Sequence, residues 1–255
     1  MRRLLLLPEL KHHRRHQRES KKFARWLAVK AAGGSPARKV VLEFPVPFRK
    51  PRRVTAPDFR AAIVAYIREQ ARPVDKFSHQ PRLYELTRAI GVGQDYDDDV
   101  VFAAVWLHDL GVFVGHRPEE PTALAAWDCV AYAMHRTPEL LAQLGFPVEK
   151  IPAVVAAIRT HQPSDEPASL EGVIVRDADI LEQLGAVTVL RTVCKIGRDT
   201  RFQIFPDALR VLRKNAERLP GQLKLPAAQK LAGPRLQVLQ QFLAAAEAEG
   251  CAALE

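Results

Sequence analysis

From Pro57 to near the C-terminus, apolar positions recur every three or four residues and strict alternation is nearly absent. That period marks helices that bury one face. Over 58–72, Ile63, Ile67 and Ala71 fall on a shared face. Ser78 is placed to cap a helix running to Ile90, with Gly91 as its stop. Pro81 falls in the first turn of that helix, where a missing N–H costs little. The stretch 97–110 opens with three aspartates at its positive end and leaves at Gly111. Between them Val100 to Leu107 is apolar on all sides, which predicts a central, buried helix. Further helices are expected at 121–135, 138–144, 148–160, 169–184, 186–196, 206–218, 225–232 and 234–249. The expected fold class is all-α: an irregular helical bundle over 57–250, with no repeat period.

Residues 1–56 follow a different rule. A Lys/Arg/His run spans Lys11 to Arg25, then come Gly33-Gly34-Ser35-Pro36 and the prolines 45, 47 and 51 among further basic residues. The formal charge of the chain is +9, yet residues 1–60 hold 17 Lys/Arg against 4 Asp/Glu. The remaining residues hold 21 against 25, so the excess basic charge belongs to the N-terminal segment. Self-repulsion and proline predict a basic, extended or loosely packed arm, with a helix over 18–32 and a short strand over 39–44 as its only local order. Nucleic-acid contact or cover for another subunit are the functional options for it. A solvated tail is the default, because aromatics able to stack on bases are sparse there.

Cysteine spacing and the length of the apolar runs exclude other classes. Cys129, Cys194 and Cys251 are far apart and odd in number, so neither a disulfide framework nor a CxxC zinc site is indicated. Apolar runs stop well short of the ~20 residues a membrane span requires. The Leu4 to Leu7 run is closed by Pro8, shorter than the roughly 7 to 15 residues of a secretory core. The expectation is a cytoplasmic protein with no membrane partner.

Against this apolar background a few polar residues stand out. His108-Asp109 sits at the exit of the most apolar helix, where a carboxylate is expensive to bury unless paired or bound to a cation. Imidazole nitrogen and carboxylate oxygen together suit a divalent transition metal or magnesium. Adjacent residues on a helix point about 100° apart, so both can face one ion only where the helix ends. A second apolar helix, Val173 to Leu181, carries Asp177 and Asp179 where leucines would be expected. Two acids there need cationic partners; a surface salt bridge to Arg176 could serve one and a metal the other. His79 lies in the first turn of its helix with Arg82 one turn on, a pairing that makes sense where a metal meets a phosphate.

His79, then His108-Asp109 within Ala-Val-Trp-Leu-His-Asp-Leu-Gly, then Asp177-Ala178-Asp179-Ile180-Leu181, resembles the HD-domain superfamily of metal-dependent phosphohydrolases. The likeness is nearest to its small stand-alone branch that acts on nucleotides. Leu144-Gly145-Phe146-Pro147 before a helix ending in His161, then Leu184-Gly185-Ala186 and Arg191-Thr192, match that branch, while Glu182 departs from the Asp usual there. The resemblance covers about residues 60–250. It implies hydrolysis of a phosphoester or phosphoanhydride, in a nucleotide or other phosphorylated small molecule. It implies a divalent metal (Mn, Mg, Fe, Co or Ni) on His79, His108, Asp109 and one acid of the Asp177/Asp179 pair, of which Asp179 is chosen because it precedes Ile180-Leu181. One ion is expected; His116, His135 and His161 are the candidates for a second. Asp109 would orient water, His161 would act as general acid, and Arg82, Lys195 and Arg198 would bind substrate. Two readings compete: an HD-fold oxygenase or lyase with two metals, and a silent regulatory or nucleic-acid-associated protein that uses the arm.

Overall fold

The computed structural model describes residues 58–199 and 201–250. The basic arm, with its expected helix and strand, and Cys251 lie outside the described residues. Helix α1 spans Phe59–Gln70, α2 His79–Ile90 and α3 Asp98–Leu107. A short α4, Pro121–Ala125, precedes α5, Cys129–Gln143, and α6, Ile151–Arg159. Then come α7, Leu170–Glu182, α8, Ala186–Val193, α9, Phe205–Arg218, and α10, Pro226–Gly250. Among the described residues the only β pairing is a single bridge between Val114 and Arg117. The described residues are all-α, as the apolar period indicates.

Helix α3 is the axis of the core. All eight residues from Val100 to Leu107 are buried, and α1, α2, α6 and α7 pack around it. Its N-terminus is capped by the Asp97 side chain, which accepts from the backbone N–H groups of Asp99 and Val100. Helix α5 covers α6, while α8, α9 and α10 close the opposite side against α7 and one another.

Helix boundaries depart from expectation at two prolines. Pro138 lies inside α5 and Pro234 inside α10, so the helices expected to end there run through. A proline removes one intrahelical N–H and crowds the preceding turn, a cost that tertiary packing can outweigh. The break expected near residue 136 occurs earlier instead, between α4 and α5. There Asp128 caps α5 by accepting from Val130 and Ala131 N–H. Ser78 holds the cap position of α2 but makes no side-chain capping hydrogen bond. No helix among the described residues is long and apolar enough to cross a membrane.

Candidate metal centre

Helix α3 stops at Leu107. His108 is its C-cap, and Asp109 leaves the helical path at φ −93° and ψ 12°. The break brings the two side chains together, His108 Nε2 and Asp109 Oδ1 lying 3.6 Å apart, which a continuing helix would forbid. Gly111 permits it: a Cβ there would stand 2.5 Å from the backbone oxygen of Cys129, so only glycine lets this turn lie against the start of α5.

His79, the first residue of α2, meets this pair. Ligand atoms of His79, His108 and Asp109 all lie within 4.8 Å of one another, a group able to hold a metal ion. His79 Nε2 is 3.8 Å from Asp109 Oδ2, and His108 Nε2 is 3.6 Å from Asp109 Oδ1. From α7, Asp179 Oδ1 comes within 3.6 Å of the same His79 Nε2. The His161 ring stands 4.9 Å, centre to centre, from that of His108. The three histidines are buried, whereas the Asp109 side chain keeps 24% of its surface open. Burial alone would raise the Asp109 carboxyl. The imidazoles of His108, His79 and His161, with Lys76 behind them, reverse that and hold it well below the usual carboxylate range. Burial, with His108 adding to it, pushes the His161 imidazole down.

The two acids of α7 have separate surroundings. Asp177 is fully buried and accepts backbone N–H groups from Lys224 and Leu225 as well as a guanidinium hydrogen bond from Arg176. It ties α7 to the start of α10. Arg176 does not form the expected surface salt bridge: it is 2% exposed and also donates to the carbonyls of Pro163 and Gln222. Asp179 faces His79, and its other oxygen accepts from Gln183.

Of the remaining expected residues, Arg82 lies on Glu182, donating to both carboxylate oxygens at 3.3 Å. Lys195 is half-buried with its Nζ 5.3 Å from the centre of the Phe202 ring. Burial first, then Lys76, Arg191 and Arg201, push its amine down to about 8. Arg198 is exposed in the turn beyond it. His116 gives one ring nitrogen to Tyr132 and the other to Gln70, and His135 is exposed. Of the three candidates for a second metal, only His161 therefore adjoins the cluster.

Three residues stand beside the cluster without a role assigned from the sequence. Glu182, 2% exposed, contacts His79, Arg82 and Arg191. Burial would raise its carboxyl, but the hydrogen bonds of His79 and Arg82 lower it. Arg191 from α8 reaches both Glu182 and His79 Nδ1. Lys76 adds positive charge to both Asp109 and Lys195. One signal was available: Arg82 and Lys76 each stand three residues from His79, one helical turn to either side.

Comparison with known proteins agrees with this geometry. Residues 77–184, which contain His79, His108, Asp109 and Asp179, match the HD domain. Over those residues the chain carries an HD domain. Bacillus subtilis YpgQ superposes with a TM-score of 0.59 at 22% identity, over 79% of this chain and all of that one. An HD-superfamily hydrolase from Bacillus thuringiensis gives 0.56 at 20% identity, over 76% of this chain and 98% of that one. YpgQ in complex with ADP gives 0.57 at 22% identity, over 75% and 94%. These likenesses concern the fold. No curated protein matches the chain.

Proposed function

We propose that this protein is a metal-dependent phosphohydrolase that cleaves a phosphoester or phosphoanhydride bond in a nucleotide. The observation that carries the reading is the convergence of buried imidazoles on a carboxylate that is open to solvent on one side. Two ligands each ~2.0–2.1 Å from one ion stand roughly 3.0–3.4 Å apart, depending on geometry. Neighbouring separations of 3.6 and 3.8 Å approach that spacing; the ligand atoms of His79, His108 and Asp109 all lie inside 4.8 Å, and Asp179 joins them through His79, so an ion would draw these side chains together. His108 and His161 donate Nδ1–H to the carbonyls of Val105 and Ile158, so in the neutral ring each Nε2 keeps its lone pair. The fit supports His79, His108, Asp109 and Asp179 as the holders of a Mn, Mg, Fe, Co or Ni ion. A set of two nitrogens and two carboxylates suits that range.

Such an ion supplies Lewis acidity and a lowered water pKa. The chain's own groups do the rest. Asp109, open on one side, orients the attacking water. His161, whose imidazole burial pushes down, accepts a proton from that water and returns it to the leaving oxygen. Lys76 places positive charge near Asp109, where the equatorial oxygens of a phosphoryl group would gather charge, and Lys195 stands close enough to Lys76 to feel its charge. The ADP bound by structurally similar YpgQ supports a nucleotide as the ligand. A one-ion site is favoured, since His116 and His135 are engaged or exposed elsewhere.

The test is a hydrolysis screen over nucleoside mono-, di- and triphosphates with Mn, Mg, Co or Ni added. Metal-dependent release of phosphate or pyrophosphate from at least one substrate is expected. Silence across the panel with metal demonstrably bound would overturn the reading in favour of a catalytically inert HD protein.

A further inference from the structure

Three buried histidines surround Asp109, and two of them are oriented by backbone. His108 Nδ1 lies 2.9 Å from Val105 O and His161 Nδ1 lies 2.6 Å from Ile158 O, in each case the carbonyl three residues earlier. A carbonyl only accepts, so both neutral rings carry hydrogen on Nδ1 and leave Nε2 bare. His79 opens its helix. The corresponding carbonyl, Lys76 O, already accepts the backbone N–H of His79 itself. His79 Nδ1 instead faces a side chain from α7, with Glu182 Oε2 3.3 Å away.

Arg191 Nη1 complicates this contact. It stands 3.0 Å from Glu182 Oε2 and 3.1 Å from His79 Nδ1, so the three atoms form a nearly equilateral triangle. A guanidinium has no acceptor. If Arg191 donated to Nδ1, that nitrogen would be bare and its lone pair would face a carboxylate oxygen. If Nδ1 carries the hydrogen, both nitrogens donate to Oε2 and no lone pairs are opposed. The far side of the ring agrees. Nε2 is 3.8 and 3.6 Å from Asp109 and Asp179, too long for an N–H there to make a hydrogen bond.

We infer that Glu182 is a positioning residue that locks His79 in the Nδ1–H tautomer and so presents a bare Nε2 to the cavity. Arg82, bidentate on the same carboxylate, holds its plane. Arg191 is both support and competitor: it braces Glu182, and it would capture Nδ1 if the carboxylate were lost. In functional terms the inference rests on the proposed metallohydrolase reading, because a bare Nε2 matters most as a ligand. Outer carboxylates of this kind commonly change metal affinity by ~10–100-fold when removed.

The test is long-range proton–nitrogen NMR on the metal-free full chain labelled with nitrogen-15 in histidine. It is run at about pH 8.5, two units above the ordinary imidazole pKa. His79 should show the Nδ1–H pattern in the wild type and in Glu182→Gln, whose amide oxygen still accepts. Glu182→Leu should switch it to Nε2–H, and Glu182→Leu with Arg191→Met should abolish the preference for Nε2–H. Calorimetric titration with Mn should follow the same order. Glu182→Leu should bind ~10–100-fold more weakly than wild type, Glu182→Gln should stay close to wild type, and the double variant should recover part of the loss. An Nε2–H wild-type ring overturns the inference even if no variant folds. So does an unchanged tautomer in folded Glu182→Leu. A wild type that shows Nδ1–H but binds no Mn leaves the tautomer lock standing and refutes the metallohydrolase reading instead.

Discussion

The two ends of α3 both carry aspartates, and they are treated in opposite ways. At the N-terminal end Asp98 and Asp99 share Arg60 at 2.8 and 2.6 Å, Tyr84 donates to Asp98, and Lys150 reaches Asp97 and Asp99. Each acid there has a cation supplied by the chain, and the helix dipole adds to the effect. At the C-terminal end Asp109, joined by Asp179 from α7, meets imidazoles at 3.6–3.8 Å, contacts too long to be hydrogen bonds. The first arrangement is complete as it stands and holds helices together. The second gathers anions and lone pairs around a shared space, which is the arrangement a cation completes. Helix α7 repeats the lesson within three residues: Asp177 is satisfied by Lys224, Leu225 and Arg176, while Asp179 faces His79.

The largest effect should come from the incomplete end. Asp109→Ala should lower nucleotide hydrolysis by at least ~10²–10³-fold, the scale of losing a principal electrostatic group, with the helical circular dichroism unchanged. At a hundredfold excess of Mn over its Kd the wild type should gain ~2.7 kcal/mol of stability, read as a rise in Tm. Asp109→Ala and Asp179→Ala should gain much less. Equal metal-induced shifts in all three proteins would erase the distinction between the two ends of α3.

Asp177→Ala should behave in the opposite sense. It strands Arg176 and two backbone N–H groups in the interior, so stability without metal should fall by ~3–5 kcal/mol in urea unfolding. A variant that unfolds like wild type but loses Mn binding would exchange the roles assigned to the two acids of α7.

At the complete end, Arg60→Met removes a partly buried guanidinium from two carboxylates. A loss of ~1.5–3 kcal/mol is expected, with the Mn-induced rise in Tm preserved. If Mn binding weakened along with stability, the two ends would be coupled through α3 and the comparison would need that link.

The last effect, read only as a dependence on pH, concerns Lys195. Its amine sits at about 8 in the folded protein against an ordinary value of 10.5. A lowered folded pKa means that the unfolded chain binds more protons between those values, so stability should climb as pH rises from about 8 to about 10.5. Lys195→Met should be more stable than wild type at pH 7 and should lack that climb. Parallel stability curves over this range would show that the amine is not desolvated as its surroundings imply.

Local pattern determined a good deal. Eight consecutive apolar residues in α3 mark it as buried on every side, and a His-Asp pair at the exit of such a helix is legible as chemistry. Apolar periodicity records burial, and burial is what makes a charged exception visible. Tertiary structure decided the rest. Neighbours in space separate the roles of Asp177 and Asp179: two residues apart on one helix, they point about 200° apart, and nothing local says which partner waits on which side. Glu182 engages His79 across 103 positions and Arg82 across 100, separations that leave no period to read. Pro138 and Pro234 carry strong local signals for helix ends, and packing along α5 and α10 overrides both. Sequence says which residues are too costly to bury without a reason; only the folded chain, by bringing distant partners within hydrogen-bonding reach, determines which of them the protein satisfies for itself and which it leaves for a ligand.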